Sequence, residues 1–379
     1  MQKPYTLIIP SWYPTGAQPL NGIFIEKHVQ AISGFQNLVV MYTTGAVKES
    51  SLEETISQTY VKYTYSYAQS SSRLINQLKY VLSQKKAYDY ITAKYGRPSM
   101  LHLHVVFPAG IFVYLLLLFR QIPLIITEHW SGYTDEDGRY QRQNPIFKYL
   151  TKALFKKARK ISVVSNYLKN AILKQRLCTE DKLMIVSNIL NYPDSTSIST
   201  EIQSPKALYI GNLNDHEKNI SMLIEAVAIV VRQYPSFQLT LIGGGSESQK
   251  FKDLAERKGL LDKNIYFKGY VPNTQLGPYY QAHNFFILTS NFETFNIAAA
   301  EALLYGLPVV ATQCGGPAEF INERTGIWIK EKNPESTATA IMDMIERLST
   351  FDSDAIAIEM KRKYGYKAIV HELKGLYTA

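Results

Sequence analysis

The sequence predicts two α/β domains in series, each built on a parallel sheet that is flanked by helices. The chain has 379 residues, which is too long for one ordinary core and suits two domains of about 150–200 residues each. Short strand-like runs alternate with helix-length amphipathic stretches, as expected for parallel sheets with crossover helices. A polar, serine-rich stretch at residues 191–205 interrupts this alternation, which then begins again.

Composition and charge narrow the class of protein. With 46% hydrophobic and 19% charged residues, the chain has the composition of a globular protein and not of a disordered one. The net charge of +9 favours phosphates, nucleotides or an anionic membrane surface as partners, without choosing among them. Cys178 and Cys314 lie far apart and make no metal-binding spacing, which favours a reducing cytoplasmic setting. We expect no secretory leader, because the first apolar run, Leu7–Ile9, is typical of a buried strand.

The first half of the chain contains the elements of one such domain. Its strand-like runs are Thr6–Pro10, Leu38–Tyr42, Leu101–Val105, Leu124–Thr127, Lys160–Val164 and Leu183–Ser187. The helical stretches between them are Phe24–Ile32, Arg73–Lys94, Ala109–Phe119, Phe147–Ala158 and Ser165–Leu173. The longest apolar stretch, Val105–Phe119, is shorter than the ~20 residues that a bilayer-spanning helix needs. We therefore expect it in the core.

The second half repeats the pattern. Its strand-like runs are Leu208–Ile210, Gln238–Ile242, Ile265–Lys268, Phe285–Leu288 and Pro308–Ala311. The predicted domains are 1–195 and 196–354, and residues 355–379 form a helical segment that is expected to cross back to the first domain. Open α/β sheets bind ligands at the carboxyl ends of their strands, so functional residues are expected just after the strands.

Two of the segments that follow strands suit a nucleotide. In Gly211–Asn219, Lys218 lies at the start of a helix, where an ammonium and free backbone N–H groups together suit a phosphate. In the other, Gly243 and Gly244 let a ligand approach the backbone closely, although this segment fits neither the dinucleotide nor the P-loop fingerprint. The alternatives are a turn with a solvated lysine and an ordinary glycine turn of an α/β protein.

A third segment, 291–302, carries two carboxylates. Glu293 lies in the loop after a strand, a helix begins near Asn296 and Ile297, and Glu301 follows in the second turn. Carboxylates accept hydrogen bonds from sugar hydroxyls, while the free amides of a helix start accept a phosphate. The alternative is that Glu301 is an exposed helical residue and Glu293 a loop charge.

The second half resembles the retaining glycosyltransferases of family 4, which have the GT-B fold. Glu293 and Glu301 match the family's two glutamates separated by seven residues, and Gly306–Thr312 and Gly315–Glu319 are similar to the segments that follow them. The resemblance covers Ala207–Trp328. It implies two Rossmann-like parallel-sheet domains that face each other across a cleft. Lys218 and the amides near Asn296 and Ile297 would then stabilise the departing diphosphate.

The resemblance further implies that Glu301 holds the ribose and Glu293 the sugar hydroxyls. No metal or other cofactor is expected, and the site residues include no metal ligand. The donor site would include Gly22, Asn212, Gly243 and Gly244.

The first half resembles the acceptor domain of the same family. His104, followed by Pro108–Gly110, is similar to its strand-end histidine, and Thr127-Glu128-His129 to its T-x-H segment. This implies that His129 positions the transferred sugar and that His104 lies on the acceptor side. Each would otherwise be a hydrogen-bonded histidine at a strand end.

One departure from the family is Asn212, which stands where the family has an arginine. Loss of a bidentate guanidinium weakens charge stabilisation at the diphosphate, and another basic group, Arg139 or Lys268 for instance, would have to replace it.

These observations predict a hexosyltransferase-type enzyme that moves a sugar from a nucleotide-diphosphate sugar to a glycan or lipid-linked acceptor in cell-surface polysaccharide synthesis. Two alternatives stay open, a non-catalytic nucleotide-sugar-binding subunit and a GT-B nucleotide-sugar epimerase. Asp135-Glu136-Asp137 is formally a metal-binding D-x-D, which we interpret as a solvated acidic turn.

The basic stretch Arg139–Lys160 predicts an amphipathic helix that contacts anionic lipid at the inner face of a membrane. The alternative is a surface helix with a solvated charged face. Nucleic acid is not expected as a partner, because no recognisable binding module accompanies the charge.

Overall fold

The structure is a computed structural model that describes residues 4–16, 18–19, 21–46, 49–190 and 204–378. The chain divides into two compact units, Met1–Ile189 with Ile369–Ala379, and Leu190–Ala368. Each unit contains one sheet flanked by helices, which confirms the predicted fold class. The predicted linker, 191–205, lies almost entirely outside the described residues.

Unit 1 contains an eight-stranded sheet in its described residues, with strand order β3-β4-β2-β1-β5-β6-β7-β8. The strands are β1 (Thr6–Pro10), β2 (Leu38–Ala46), β3 (Ser51–Ile56), β4 (Val61–Ala68), β5 (Met100–His104), β6 (Leu124–Glu128), β7 (Lys160–Val163) and β8 (Leu183–Ile185). The helices are α1 (Ile23–Ser33), α2 (Arg73–Tyr95), α3 (Gly110–Phe119), α4 (Pro145–Lys157) and α5 (Asn166–Lys174). The β3–β4 pair is antiparallel and the other neighbours are parallel.

Unit 2 contains a six-stranded parallel sheet in its described residues, with strand order β11-β10-β9-β12-β13-β14. The strands are β9 (Lys206–Ile210), β10 (Gln238–Ile242), β11 (Ile265–Gly269), β12 (Phe285–Leu288), β13 (Val309–Thr312) and β14 (Gly326–Ile329). The helices are α6 (Asp215–Lys218), α7 (Ile220–Gln233), α8 (Ser248–Arg257), α9 (Gly277–Gln281), α10 (Ile297–Leu304), α11 (Pro334–Arg347), α12 (Ser353–Tyr364) and α13 (Tyr366–Thr378). Helix α13 belongs to unit 1 from Ile369 onward.

The sequence did not predict β3, β4 or β14. Strand β3 is a mostly exposed edge strand with the polar sequence SLEETI, so it lacks the apolar run that marks a buried strand. Strand β14 has four residues and begins at Gly326, where a side chain would meet the Val309 carbonyl oxygen at 2.1 Å. Strands β3 and β14 therefore depend on pairing with their neighbouring strands more than on the hydrophobic pattern of their own sequences.

Helix α3 is less buried than predicted. The apolar stretch that contains it was expected in the core, but Leu115, Leu118 and Phe119 are exposed. Only Gly110, Phe112 and Val113 of this helix are buried. No helix within the described residues is both long and apolar enough to cross a bilayer.

Candidate functional site

The carboxyl edge of the unit 2 sheet begins with two interlocked glycine turns. Gly211 N–H donates to the Ile242 carbonyl at 3.0 Å, and Leu213 N–H donates to the Gly244 carbonyl at 2.8 Å. Gly243 has φ 130°, and a Cβ there would lie 1.9 Å from the Gly211 carbonyl oxygen. Gly243 is therefore required by the contact between the turns. A Cβ on Gly244 would meet nothing within 4 Å, so this residue leaves space above the turn.

Glu293 is the centre of a hydrogen-bond network beside these turns. Its Oε1 accepts from Lys218 Nζ at 2.7 Å, from Ser290 Oγ at 2.7 Å and from Asn296 Nδ2 at 2.8 Å. The Lys218 and Glu293 side chains are only 16% and 11% exposed. Among the described residues none donates to Oε2, so one carboxylate oxygen is fixed and the other remains for a ligand.

Burial and charge oppose each other at Lys218. Burial alone would lower the pKa of the ammonium, but the Glu293 carboxylate holds that pKa above its ordinary value. Lys218 is therefore charged at neutral pH. Burial, together with the Glu293 charge, raises the pKa of the Cys314 thiol to about 12, so this cysteine stays protonated.

Lys218 lies at the end of α6, one residue before the Asn219 that begins α7. Two of the amides near it have acceptors within the chain. Asn219 N–H donates to the Asp215 carbonyl at 3.0 Å, and Ser221 N–H donates to Asp215 Oδ1 at 2.8 Å. The ammonium of Lys218 is directed to Glu293 instead.

Free amides occur at the start of α10, as predicted. Asn296 has φ 68° and caps the helix, because its Oδ1 accepts from Ala299 N–H at 2.8 Å. Within the described residues, no acceptor binds the N–H groups of Ile297 or Ala298. The same Asn296 side chain donates to Glu293, so the helix start, the carboxylate and the lysine are parts of one network.

Glu301 lies in α10 but is not the exposed helical residue of the alternative interpretation. Its side chain is buried, and Oε2 accepts from the Tyr280 hydroxyl at 3.3 Å. A ribose that binds this carboxylate would share it with Tyr280.

The position of the missing arginine is occupied by Asn212, whose backbone carbonyl accepts from the Tyr209 hydroxyl at 3.0 Å. Of the two predicted replacements, Arg139 belongs to unit 1 and is paired there with Asp137, and Lys268 of unit 2 is exposed beside the Tyr266 ring. Sequence reasoning missed Lys332, whose Nζ donates to the Asn291 carbonyl at 2.7 Å. Asn291 lies two residues before Glu293, to which Lys218 is bonded, so both lysines contact the same loop, and both charges oppose the rise in the pKa of the Cys314 thiol.

The carboxyl edge of the unit 1 sheet carries a cluster of three buried histidines, His28 of α1, His104 of β5 and His129 after β6, which we call the histidine cluster. The ring centroids lie 5.8 to 6.2 Å apart. Burial lowers the pKa of His28 to about 4 and those of His104 and His129 well below their ordinary value. All three rings are therefore neutral at physiological pH. Sequence reasoning missed His28, because nothing in the pattern of α1 distinguishes it from a core residue.

The alternative that His104 and His129 are ordinary hydrogen-bonded histidines is wrong for His104. Both ring nitrogens of His104 and Nε2 of His129 are buried without a partner in the described structure. The neighbouring His102 is the histidine whose two ring nitrogens are both hydrogen-bonded. Its Nδ1 lies 2.7 Å from the Tyr377 hydroxyl, and its Nε2 lies 2.7 Å from Thr127 Oγ1.

Glu128 fixes the loops that follow β5 and β6. Its Oε1 accepts from Val106 N–H at 2.8 Å, and its Oε2 accepts from His129 N–H at 3.1 Å. Burial raises the pKa of this carboxyl to about 7. Gly22, expected in the donor site, immediately precedes α1 with φ 72°, and a Cβ there would lie 2.6 Å from the Trp12 carbonyl. Its backbone geometry alone therefore requires glycine.

The D-x-D segment is a turn in which Asp135 and Glu136 are exposed, as the sequence interpretation expects, whereas Asp137 is buried. Its carboxylates have separate partners within unit 1: Asp135 with Lys174, Glu136 with Tyr167, and Asp137 with Arg139. The Asp137 side chain is fully buried, and its two carboxylate oxygens accept hydrogen bonds from Nε and Nη2 of Arg139, each at 2.6 Å. These contacts shape the loop and do not converge on a common point.

A cavity of about 340 Å³ lies beside α2 in the same unit. Its lining includes the rings of Tyr67, Tyr80 and Phe107, together with Arg73 and Gln77. Aromatic faces with nearby guanidinium and amide groups suit a sugar ring and its hydroxyls.

Two family profiles match the chain. The one described as Glycosyl transferases group 1 matches residues 196–364, and the one described as Glycosyltransferase Family 4 matches residues 38–191. MJ1607, an uncharacterized glycosyltransferase of Methanocaldococcus jannaschii, is 29% identical over 188 residues, which is 45% of this chain and 47% of the relative. The amylovoran biosynthesis glycosyltransferase AmsK of Erwinia amylovora is 28% identical over 162 residues, which is 41% of this chain and 39% of the relative.

The chain thus spans about half the length of MJ1607 and a smaller share of AmsK. A solved structure, Alr3699/HepE of Anabaena in complex with UDP and glucose, has a TM-score of 0.74 to this chain at 14% identity. The likeness covers 99% of both chains, so the two share their fold throughout.

Proposed function

Since this chain belongs to the family 4 glycosyltransferases and has the GT-B fold, we propose that it is a retaining, metal-independent hexosyltransferase. The donor is a nucleotide-diphosphate sugar, and the acceptor is a glycan or a lipid-linked glycan. The observation that carries the proposal is the network in unit 2 that joins Lys218, Glu293 and the free amides of α10.

The departing diphosphate is the group that this network suits best. Cleavage of the anomeric C–O bond leaves negative charge on the nucleotide, which a fixed ammonium and fixed amides stabilise without reorganisation. Lys218 supplies the ammonium, and Ile297 and Ala298 supply the amides. We propose that Lys332 supplies the second cation in place of the arginine absent at Asn212, because its charge reaches the same region as that of Lys218.

The two glutamates hold the hydroxyl groups of the donor. Oε2 of Glu293 accepts from the transferred sugar, while Oε1 stays with its three internal donors. Glu301 accepts from the ribose and shares its carboxylate with Tyr280. Gly244 leaves space for the nucleotide above its turn. A donor phosphate oxygen receives the acceptor proton, so no carboxylate needs to act as a nucleophile.

Unit 1 supplies groups for the sugar and the acceptor. Nε2 of His129, buried without a partner in the described structure, positions the transferred sugar. We assign the acceptor saccharide to the cavity beside α2, where Tyr67 and Tyr80 offer ring faces and Arg73 offers donors. The name of AmsK, an amylovoran biosynthesis glycosyltransferase, supports an acceptor in cell-surface polysaccharide synthesis, and the ligands of HepE support a UDP-sugar among the donors to test.

We also propose a peripheral contact with anionic lipid through α3 and α4. The Tyr114 and Tyr149 hydroxyls of these helices are 3.4 Å apart, so the helices are neighbours. Phe119 is 80% exposed, Ile146 72% and Tyr149 63%. Lysines such as Lys148 and Lys152 of α4 would meet lipid phosphates while the apolar side chains enter the interface.

The experiment that tests the proposed function is incubation with UDP-, GDP-, ADP- and TDP-sugars, with and without a glycan acceptor and EDTA. We expect an acceptor-dependent product whose anomeric configuration, read by NMR, equals that of the donor. EDTA should not lower the rate. Conversion of the donor alone into an epimer would support the isomerase alternative. Binding without turnover across donors and acceptors would support the non-catalytic one.

A further inference from the structure

The histidine cluster has the composition of a site for a d-block divalent cation. His28, His104 and His129 come from three separate elements, and one ring nitrogen of each lies within 4.8 Å of the others. Imidazole is a preferred ligand of Zn²⁺, Co²⁺ and Ni²⁺. We infer that these three histidines bind such a cation, for which Zn²⁺ is the representative.

Hydrogen bonding fixes the tautomer of His28 in the form that a metal requires. Its Nε2 lies 3.1 Å from the Ser187 carbonyl oxygen, which can only accept, so Nε2 carries the proton. Nδ1 therefore keeps its lone pair, and it is buried without a partner in the described structure. Metal-binding histidines are commonly oriented in this way, by a backbone carbonyl at the ring nitrogen opposite the metal.

The other two rings also present unused lone pairs. Nδ1 and Nε2 of His104 and Nε2 of His129 are buried, and no described residue bonds to them. Buried polar atoms without a partner are rare in native proteins, so their concentration in one cluster indicates that a ligand completes it. A cation bound by three nitrogens would satisfy one atom of each ring at once.

Metal binding would draw the ring nitrogens together by at most about 1.4 Å, from the 4.8 Å bound of the cluster to a tetrahedral spacing. Zn–N bonds of about 2.0–2.1 Å in a tetrahedron place ligand nitrogens roughly 3.4 Å apart, compared with the upper bound of 4.8 Å in the cluster. Both oxygens of the nearby Glu128 accept from backbone amides, so the ligand set is three neutral imidazoles. Such a set favours Zn²⁺, Co²⁺ and Ni²⁺ over Mg²⁺ and Ca²⁺, which prefer oxygen ligands.

Occupancy of the cluster has a consequence that rests on the proposed function. His129 is the residue that positions the transferred sugar, and a cation at Nε2 removes that nitrogen from the sugar. Zn²⁺ is therefore an inhibitor of transfer and not a cofactor. This fits the expectation that EDTA does not lower the rate of transfer.

Cation binding is tested on the full chain, freed of any histidine tag. Co²⁺ titration of the wild type should give visible absorption bands that saturate at one equivalent and are displaced by Zn²⁺, but not by Mg²⁺ or Ca²⁺. His28→Ala should weaken Co²⁺ binding at least about tenfold. His371→Ala, which changes an exposed histidine of α13, is the matched control and should bind like the wild type. Equal affinity in wild type and His28→Ala would overturn the inference, as would absence of saturable binding.

X-ray absorption at the zinc edge of the wild-type protein keeps the test independent of how the variants fold. We expect three imidazole nitrogens at about 2.0–2.1 Å. Two or fewer would contradict the site.

The transfer assay is the second arm, with each rate divided by the same variant's metal-free rate. Zn²⁺ should inhibit the wild type and His371→Ala, while His28→Ala should need at least about tenfold more Zn²⁺ for the same inhibition. Co²⁺ binding without transfer activity under any condition would mean that the proposed function fails and the cation site stands. Transfer activity without Co²⁺ binding would mean that the cation site fails and the proposed function stands.

Discussion

The two units place different chemistry at the same edge of their sheets. In unit 2 the polar groups are charged and already paired, with Lys218 and Glu293 joined at 2.7 Å. In unit 1 the three histidines of the cluster are neutral, and each has at least one buried ring nitrogen without a partner in the described structure. A buried charge is stable only when an opposite charge lies beside it. A buried imidazole instead stays unprotonated, so it can remain neutral without a partner. A ligand in unit 2 therefore meets groups that are already held in place by one another, whereas in unit 1 it supplies the first partner of the open ring nitrogens.

The largest expected effect is the loss of the ammonium in unit 2. Lys218→Ala should lower kcat by about 10²–10³-fold, because a fixed charge at the leaving group is lost in a buried site. Glu293 keeps two internal donors, Ser290 and Asn296, so the fold should survive. The measurements are steady-state kinetics and a thermal melt. Lys258→Ala, which changes an exposed lysine of the same unit, is the matched control. A near-normal rate in Lys218→Ala would remove the lysine from the mechanism.

The second prediction tests the role of Glu301. Glu301→Gln keeps an acceptor for Tyr280 and should raise the donor KM about tenfold, the size of one charge-assisted hydrogen bond. The penalty should nearly vanish for a donor analogue that lacks the ribose 2′- and 3′-hydroxyls. An equal penalty for both donors would show that Glu301 does not touch the ribose.

The third prediction compares how the units respond to acid. The pKa of His28 is about 4 in the folded protein and 6.5 when exposed, so the unfolded state binds its proton first as pH falls. This ring contributes stability that is present above pH 6.5 and is lost progressively down to pH 4, by about 3 kcal/mol. Glu128 and Glu372, with pKa values raised to about 7, act in the opposite direction between pH 7 and 4.5.

The measurement is the free energy of unfolding from urea titrations at several pH values. His28→Gln should flatten the dependence between pH 6.5 and 4 relative to the wild type. Parallel curves for the two proteins would show that His28 is not held neutral by burial.

The fourth prediction concerns the missing arginine. Asn212→Arg should lower the donor KM about tenfold if one guanidinium contact to the diphosphate is restored. Lys332→Ala should raise the donor KM in the wild-type background. In the Asn212→Arg background the same change should raise the donor KM by a smaller factor. Strict additivity of the two changes would mean that Lys332 does not replace the arginine.

The smallest expected effect is on membrane contact. The double change Ile146→Ser and Tyr149→Ser should reduce co-sedimentation with anionic vesicles severalfold, because each exposed side chain adds a modest apolar area. Transfer to a water-soluble acceptor should be unaffected. Equal co-sedimentation of the wild type and the double variant would show that these side chains of α4 do not contact the membrane.

Sequence reasoning predicted the parts of unit 2 that depend on local pattern. The strands before Gly211 and Gly243 and the helix start at Asn296 are visible as apolar runs that end in characteristic residues, and the structure has them there. The partners were not predictable, because Lys218 and Glu293 are 75 positions apart and their contact depends on the order of strands in the sheet.

The same limit explains what was missed in unit 1. His28 joins His104 and His129 only because α1 packs against the strand ends, and a single sequence does not show that packing. The exposure of Leu115 and Phe119 was likewise missed, because an apolar stretch alone does not reveal which of its faces is covered.

The most direct measurement is the backbone amide NMR spectrum of the perdeuterated protein during titration with the donor's nucleoside diphosphate. The central proposition is that the open amides of α10 and the paired lysine receive the diphosphate. It predicts that the amide signals of Ile297 and Ala298 move furthest downfield, and that Lys218→Ala weakens the binding. If these two signals stay in place while the nucleotide binds and shifts others, the site assigned to unit 2 is wrong.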